Sequence, residues 1–132
     1  MIAEKSKQGL SKSERLNSRM LIERLFSGKS RSLPAFPLRV VYMMVNEETL
    51  PVSSLMVSVS KKRFKRAVKR NHVKRQIREA YRKNKYLLTD VLQATEQKVL
   101  LAFIWIDNEL HSSEEIEIKV KRLLQLIAER LS

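Results

Sequence analysis

The chain has 132 residues, 43% of them apolar, and no cysteine. That length suits one compact domain, and the composition excludes wholesale disorder, a disulfide framework and a thiolate metal site. A net charge of +13 asks for a polyanionic partner; an anionic membrane surface is the weaker candidate, since a membrane-lying helix would need bulky apolar residues opposite its charges.

Residues 1–17 are polar and basic with few apolar anchors, and are expected to be loose or extended, with 1–13 a flexible tail. The opening MIAEKSKQGLSKSER has no apolar core and does not read as a signal peptide. Ser18 to Ser27 reads as a short helix, with Leu21, Ile22, Leu25 and Phe26 at i, i+1, i+4 and i+5 and Gly28 as its stop. GKSRSLPAFP is a loop with two prolines, leaving room for a short edge strand between residues 30 and 38. Two strands follow, Leu38 to Val45 and Leu55 to Ser60, joined by VNEETLPVSS, which looks like a hairpin connection. In the second, Leu55, Val57 and Val59 alternate with Met56, Ser58 and Ser60, so one face is expected to be buried. A helix then runs from Arg66 to about Asn84. Val99 to Ile106 (VLLAFIWI) is apolar on both faces and reads as a central strand. At eight residues it is the longest apolar run, and a membrane span needs about 20. The last helix begins at the capping-box signature Ser112-Ser113-Glu114-Glu115 and carries one apolar stripe, Ile116, Val120, Leu123, Leu124, Ile127 and Leu131. Helices packed on a sheet make a small α+β or α/β sandwich of one domain, residues 1–132.

Charge is not spread evenly. Residues 61–85 hold thirteen bases and one acid, whereas residues 86–132 hold five bases and eight acids. On the Arg66–Asn84 helix, stepping about 100° per residue from Arg70, Lys74, Arg78, Asn71, Arg82 and Arg75 fall on one arc. Val73, Ile77, Ala80 and Tyr81 fall on a neighbouring apolar arc that can dock on a sheet, and Glu79 lies outside the charged arc. A solvated helix face ordinarily interleaves signs, because like charges at i, i+4 repel by about 0.2–0.5 kcal/mol. This face is expected to have nothing opposite to relieve it. Lys61, Lys62, Arg63, Lys65, Arg66, Lys69 and Arg70 also crowd the helix N-terminus, where the dipole disfavours cations by about 0.3–1 kcal/mol each. Cations and open N–H groups together suit a phosphate, and Arg can grip it with two parallel hydrogen bonds. Asn71 either adds neutral donors to the patch or makes a local polar bond.

Arg70-Asn71-His72-Val73-Lys74-Arg75-Gln76-Ile77-Arg78-Glu79, preceded by Ala67-Val68 and by Ser58-Val59-Ser60-Lys61-Lys62, resembles the signature of the bacterial ribonuclease P protein subunit family. Arg15-Leu16, the helix ending Leu25-Phe26-Ser27-Gly28 and the strand bearing Tyr42 fit the same pattern, so the likeness runs over roughly residues 14 to 130. The resemblance implies an α/β (α+β) two-layer sandwich of αβββαβα order with a left-handed βαβ crossover, similar to domains that bind the ribosome's nucleic acids. It implies a part in maturing tRNA 5′ ends, as the protein component of an endoribonuclease whose chemistry belongs to a catalytic RNA subunit and its magnesium ions. Arg70, Asn71, Lys74, Arg75 and Arg78 would contact that RNA, with Arg82 on the same arc and Lys61, Lys62, Arg63, Lys65, Arg66 and Lys69 reaching phosphates. The precursor tRNA's 5′ leader would lie in a cleft between the first helix and the sheet, lined by Ile22, Phe26 and Tyr42. Family members often carry an aromatic at the position of Ile22, which here can only be an apolar wall. Core packing is the competing reading for Phe26 and Tyr42. A cytoplasmic protein, monomeric without RNA, that binds no membrane and no metal through its own side chains is the default expectation from the sequence.

No catalytic constellation of protein side chains is legible. His72 and His111 lack partners at metal-ligand spacing, and His111 reads as an exposed loop residue. Two glycines cannot make a phosphate loop. A non-catalytic ribosomal or RNA-assembly protein is the alternative that composition leaves open. A DNA-binding regulator lacks the helix expected before its recognition helix, and a stand-alone nuclease lacks metal-binding acids beside the basic patch.

Overall fold

The strand that is apolar on both faces takes the middle of the sheet. The computed structural model describes residues 14–132. In chain order it contains α1 (Arg19–Leu25), β1 (Arg31–Ala35), β2 (Leu38–Val45), β3 (Ser53–Ser58), α2 (Ala67–Asn84), α3 (Tyr86–Ala94), β4 (Lys98–Trp105) and α4 (Ser113–Leu131). The sheet order is β1-β2-β4-β3. β2 is antiparallel to β1 and to β4, while β3 runs parallel to β4. The link from β3 through α2 and α3 to β4 is therefore a crossover between parallel neighbours.

Alternation along the strands divides the core in two. Leu38, Val40, Tyr42, Val99, Leu101, Phe103 and Trp105 face a layer made by α2, α3 and α4. Val41, Leu100 and Ala102 face the other way and pack with Leu16 and Leu25 beneath α1. The stripe on α4 is buried as its spacing predicts, with Ile116, Val120, Leu123, Leu124 and Ile127 all enclosed. Ser112 caps that helix by accepting from Glu115 N at 3.1 Å, and its hydroxyl donates to the Glu115 carboxylate at 3.2 Å. Ser18 caps α1. Gly28 follows at φ 94°, a left-handed conformation that suits glycine just past a helix end. α2 is pinned to the sheet by a buried hydrogen bond of 2.7 Å between the Tyr81 and Ser53 hydroxyls, and burial pushes the Tyr81 phenol pKa up.

The expected αβββαβα order holds with one addition, and one expectation is corrected. Residues 86–94 form a further helix directly after α2; Leu88 and Leu92, one turn apart, bury its inner face. Residues 46–52 are not a hairpin loop, because β2 and β3 are not neighbours. β4, doubly apolar, enters between them and buries both its faces. The hairpin is instead β1–β2, turning at Phe36-Pro37. Ahead of α1 the chain adds a short parallel pairing to the outer edge of β3, with Arg15 bridged to Leu55 and Leu16 N donating to Leu55 O at 2.7 Å. Glu14 meets the buried Lys85 at 2.9 Å. Residues 1–13, expected to be flexible, lie outside the described residues.

Candidate nucleic-acid interface

α2 is anchored through Val73, Ile77, Ala80, Tyr81 and Asn84, all buried. This anchoring turns the opposite arc outward. Lys61, Lys62, Lys65, Arg66, Lys69, Asn71 and Arg75 are exposed, and Arg63, Arg70, Lys74, Arg78 and Arg82 are half-buried. Asn71, Arg75, Arg78 and Arg82 line one open depression of about 520 Å³. Arg15, which the sequence expectation left out of the site, and Glu79 line it as well. Pairing at the edge of β3 carries Arg15 there. The Arg78 guanidinium loses some proton affinity through partial burial first and the nearby Arg15 charge second. The signal in the sequence was slight: a cation directly before an apolar residue, ahead of the first helix cap.

The structure refines the ridge in three ways. Glu79 is not idle: although it sits off the charged arc, it is three residues before Arg82 and ion-pairs with it. That hydrogen bond lowers the carboxyl's pKa and raises the guanidinium's. The expectation that nothing relieves the ridge therefore fails at Arg82, and holds at Lys74, Arg75 and Arg78, which make no ion pair among the described residues. Arg70 is partly committed to the fold, since its guanidinium donates to the Phe64 and Lys65 carbonyls at 2.9 and 2.8 Å. It clasps the turn between β3 and α2 and sets the basic 61–66 segment against the helix start. Finally, the acidic end of the chain reaches α2 only on its far flank. Glu117 accepts from Lys83 at 3.4 Å and from Asn84 at 3.0 Å, which holds its own carboxyl pKa down.

The N-terminus of α2 has no side-chain cap and no acid in its first turn. Its open N–H groups and the surrounding cations form an anion-attracting end.

Of the residues expected in the cleft, α1 brings two to its side of the sheet. Ile22 packs, half-buried, against the minor core, and Phe26 stands 47% exposed at the C-terminus of α1. Exposure of that size leaves the ring free to stack and removes the core-packing reading for Phe26. Tyr42 is a correction. It lies at an even position of β2, on the α2–α4 side, and is 2% exposed. A strand's two-residue period places it on the face opposite α1, so it packs in the main core and does not line a cleft with Ile22 and Phe26. His111 is a second correction: it is wedged in place, not exposed. Its Nε2 meets Asp107 at 2.6 Å and its Nδ1 meets Glu115 at 3.3 Å, and its ring stands edge-on to Trp105 with centroids 5.4 Å apart. Gln76 donates to the His111 carbonyl at 3.1 Å, tying this loop to α2. His72 is exposed.

An α+β sandwich that turns an arginine-rich helix to solvent has the build of a polyanion-binding domain. Comparison with known proteins gives the class a family. The model of the Ribonuclease P family matches residues 10–127. A protein of Porphyromonas gingivalis named Ribonuclease P protein component is 48% identical over 120 residues, covering 91% of this chain and 87% of that protein. One of the same name from Chlorobaculum tepidum is 31% identical over 140 residues, covering 99% and 91%. Two solved structures share the fold. The RNase P protein of Thermotoga maritima has a TM-score of 0.67 at 23% identity, covering 86% of this chain and 96% of that one. That of Staphylococcus aureus has a TM-score of 0.63 at 22% identity, covering 86% and 94%. With most of its length matched by the family model and by these relatives, the chain belongs to the ribonuclease P protein family.

Proposed function

We propose that this chain is the protein subunit of ribonuclease P, binding the catalytic RNA subunit through the α2 ridge and gripping the 5′ leader of precursor tRNA on the α1 side of the sheet. Endonucleolytic removal of the leader would then yield the mature tRNA 5′ end. The observation that carries this reading is the ridge itself: Lys74, Arg75 and Arg78, with Arg15 beside them, face outward without a carboxylate partner among the described residues. The acidic last third of the chain leaves them alone.

The protein's work in this reading is electrostatic and positional. Cations on α2 and in the 61–66 segment neutralise RNA phosphates, releasing counterions and letting two polyanions approach. Asn71, at the rim of the same depression, offers donors and an acceptor that can discriminate orientation. Phe26 offers a ring on which an unpaired leader base can stack. Magnesium belongs to the RNA here. Glu79 is the one carboxylate within α2 and is held by Arg82. No group of three His, Cys, Asp or Glu able to hold a metal is present among the described residues. No helix among them is long and apolar enough to cross a membrane. The free protein is taken to be a cytoplasmic monomer.

The decisive experiment is cleavage of a precursor tRNA by a bacterial catalytic RNA at low magnesium, with and without this protein. Restored cleavage is the expected result. An unchanged rate would refute the proposal and favour a non-catalytic RNA-assembly role.

A further inference from the structure

The loop between β4 and α4 ties the last third of the chain to the basic face. Arg63, in the basic run ahead of α2, donates from Nη1 to the Asn108 side-chain carbonyl at 3.2 Å. Gln76, midway along α2, donates to the His111 carbonyl at 3.1 Å and to the Ser113 hydroxyl at 3.0 Å. One loop therefore holds both the approach to α2 and the helix itself. Arg63 makes no ion pair among the described residues. Its partner is a neutral amide, which orients the guanidinium and leaves its charge for a phosphate.

The loop is in turn held by His111. The ring meets Asp107 through Nε2 at 2.6 Å and Glu115 through Nδ1 at 3.3 Å. Asp107 also accepts from the Asn108 backbone N–H at 2.7 Å, so it links the imidazole to the residue that holds Arg63. These two carboxylates, one from the loop and one from α4, are the charged groups that meet the ring. β4 presents Trp105 and the β1–β2 turn presents Phe36, both edge-on, while α2 presents the Gln76 amide. An imidazolium donates from both nitrogens and satisfies both acids. A neutral ring has one N–H and must turn a lone pair toward the other acid. A released Asp107 would stand one residue from the partner of Arg63, a competing anion for the same guanidinium.

We propose that His111 is a positioning residue for RNA binding: in its charged form it engages Asp107, and through Asp107 and Asn108 it fixes Arg63 for a phosphate. His111 acts through Arg63 and makes no contact with the RNA. The inference rests on the ribonuclease P reading for the identity of that RNA.

The test is filter binding of the full chain to a bacterial catalytic RNA at pH 6 and pH 9 and fixed salt. The parent should bind about fivefold more tightly at pH 6, since the higher pH weakens one charge-assisted contact. His111→Gln and Arg63→Ala should each lose that difference and bind at both pH values about as weakly as the parent does at pH 9. His72→Gln and Arg75→Ala, outside the network, should retain it. In the free protein the Arg63 Nε–H resonance should move with pH in step with the His111 ring, which a merely structural histidine would not cause. A parent that binds at neither pH would refute the ribonuclease P reading and the inference with it. Three results would overturn the inference alone: a parent that binds equally at both pH values, a His111→Gln loss equal at both, or a pH difference that survives Arg63→Ala.

Discussion

Arg75 is exposed, lines the α2 depression and makes no ion pair among the described residues, so its replacement tests the ridge without disturbing the core. Arg75→Ala should weaken binding of the catalytic RNA and reduce the slope of log affinity against log salt by about one, the signature of one lost phosphate contact. An unchanged slope, measured by filter binding from low to moderate salt, would place Arg75 away from phosphate. Phe26 tests the other surface. A stacked base is worth about 1–3 kcal/mol, so Phe26→Ala should lower affinity for precursor tRNA and spare mature tRNA; equal losses would mean a fold defect. At this scale the motif made the outward arginines legible, because a helical period converts spacing directly into a face. It could not show that Arg70 spends two donors on the backbone of its own turn, since those carbonyls come from a non-repeating segment. Tyr42 shows the opposite limit. Its place in a strand was legible, but the face it takes depends on which residues α1 and α4 cover.

Among the elements, the loop before α4 carries the clearest pH dependence. The Asp107 carboxylate first and Glu115 next hold the proton on His111 and raise its pKa above the ordinary 6.5. A raised folded-state value means stability fully present below about pH 6.5 and lost as pH climbs through the folded value. The denaturation midpoint of the parent should therefore exceed that of His111→Gln by more at pH 6 than at pH 9. A difference independent of pH would reduce the cluster to packing against Trp105. Helices with capping signals and a stripe, α1 and α4, could be read from the chain because each contains its own boundary chemistry. α3 could not, since it follows α2 after a single residue and takes Lys85 as its N-cap without a side-chain cap bond. The mistaken hairpin has a related cause. Two adjacent strands suggest pairing, and only the doubly apolar character of β4, more than 40 residues later in the sequence, signals what comes between them.

Over the whole molecule, charge and core are kept apart. The main core lies between the sheet and α2–α4, the basic arc turns outward from it, and the acids of the last third face elsewhere, apart from Glu117 at the flank of α2. The sandwich class followed from alternating strand and helix patterns. The position of residues 14–16 did not, because one bridge and one backbone hydrogen bond leave almost no periodic trace. Yet that short segment occupies the outer side of β3, where Leu16 N bonds Leu55 O at 2.7 Å. A sheet margin left bare is a template for strands of other molecules. The few residues that bring Arg15 to the arginine cluster thus also act as a guard rail against self-association. A chain starting at Asn17 should turn turbid on concentration, by light scattering, where the full chain stays clear.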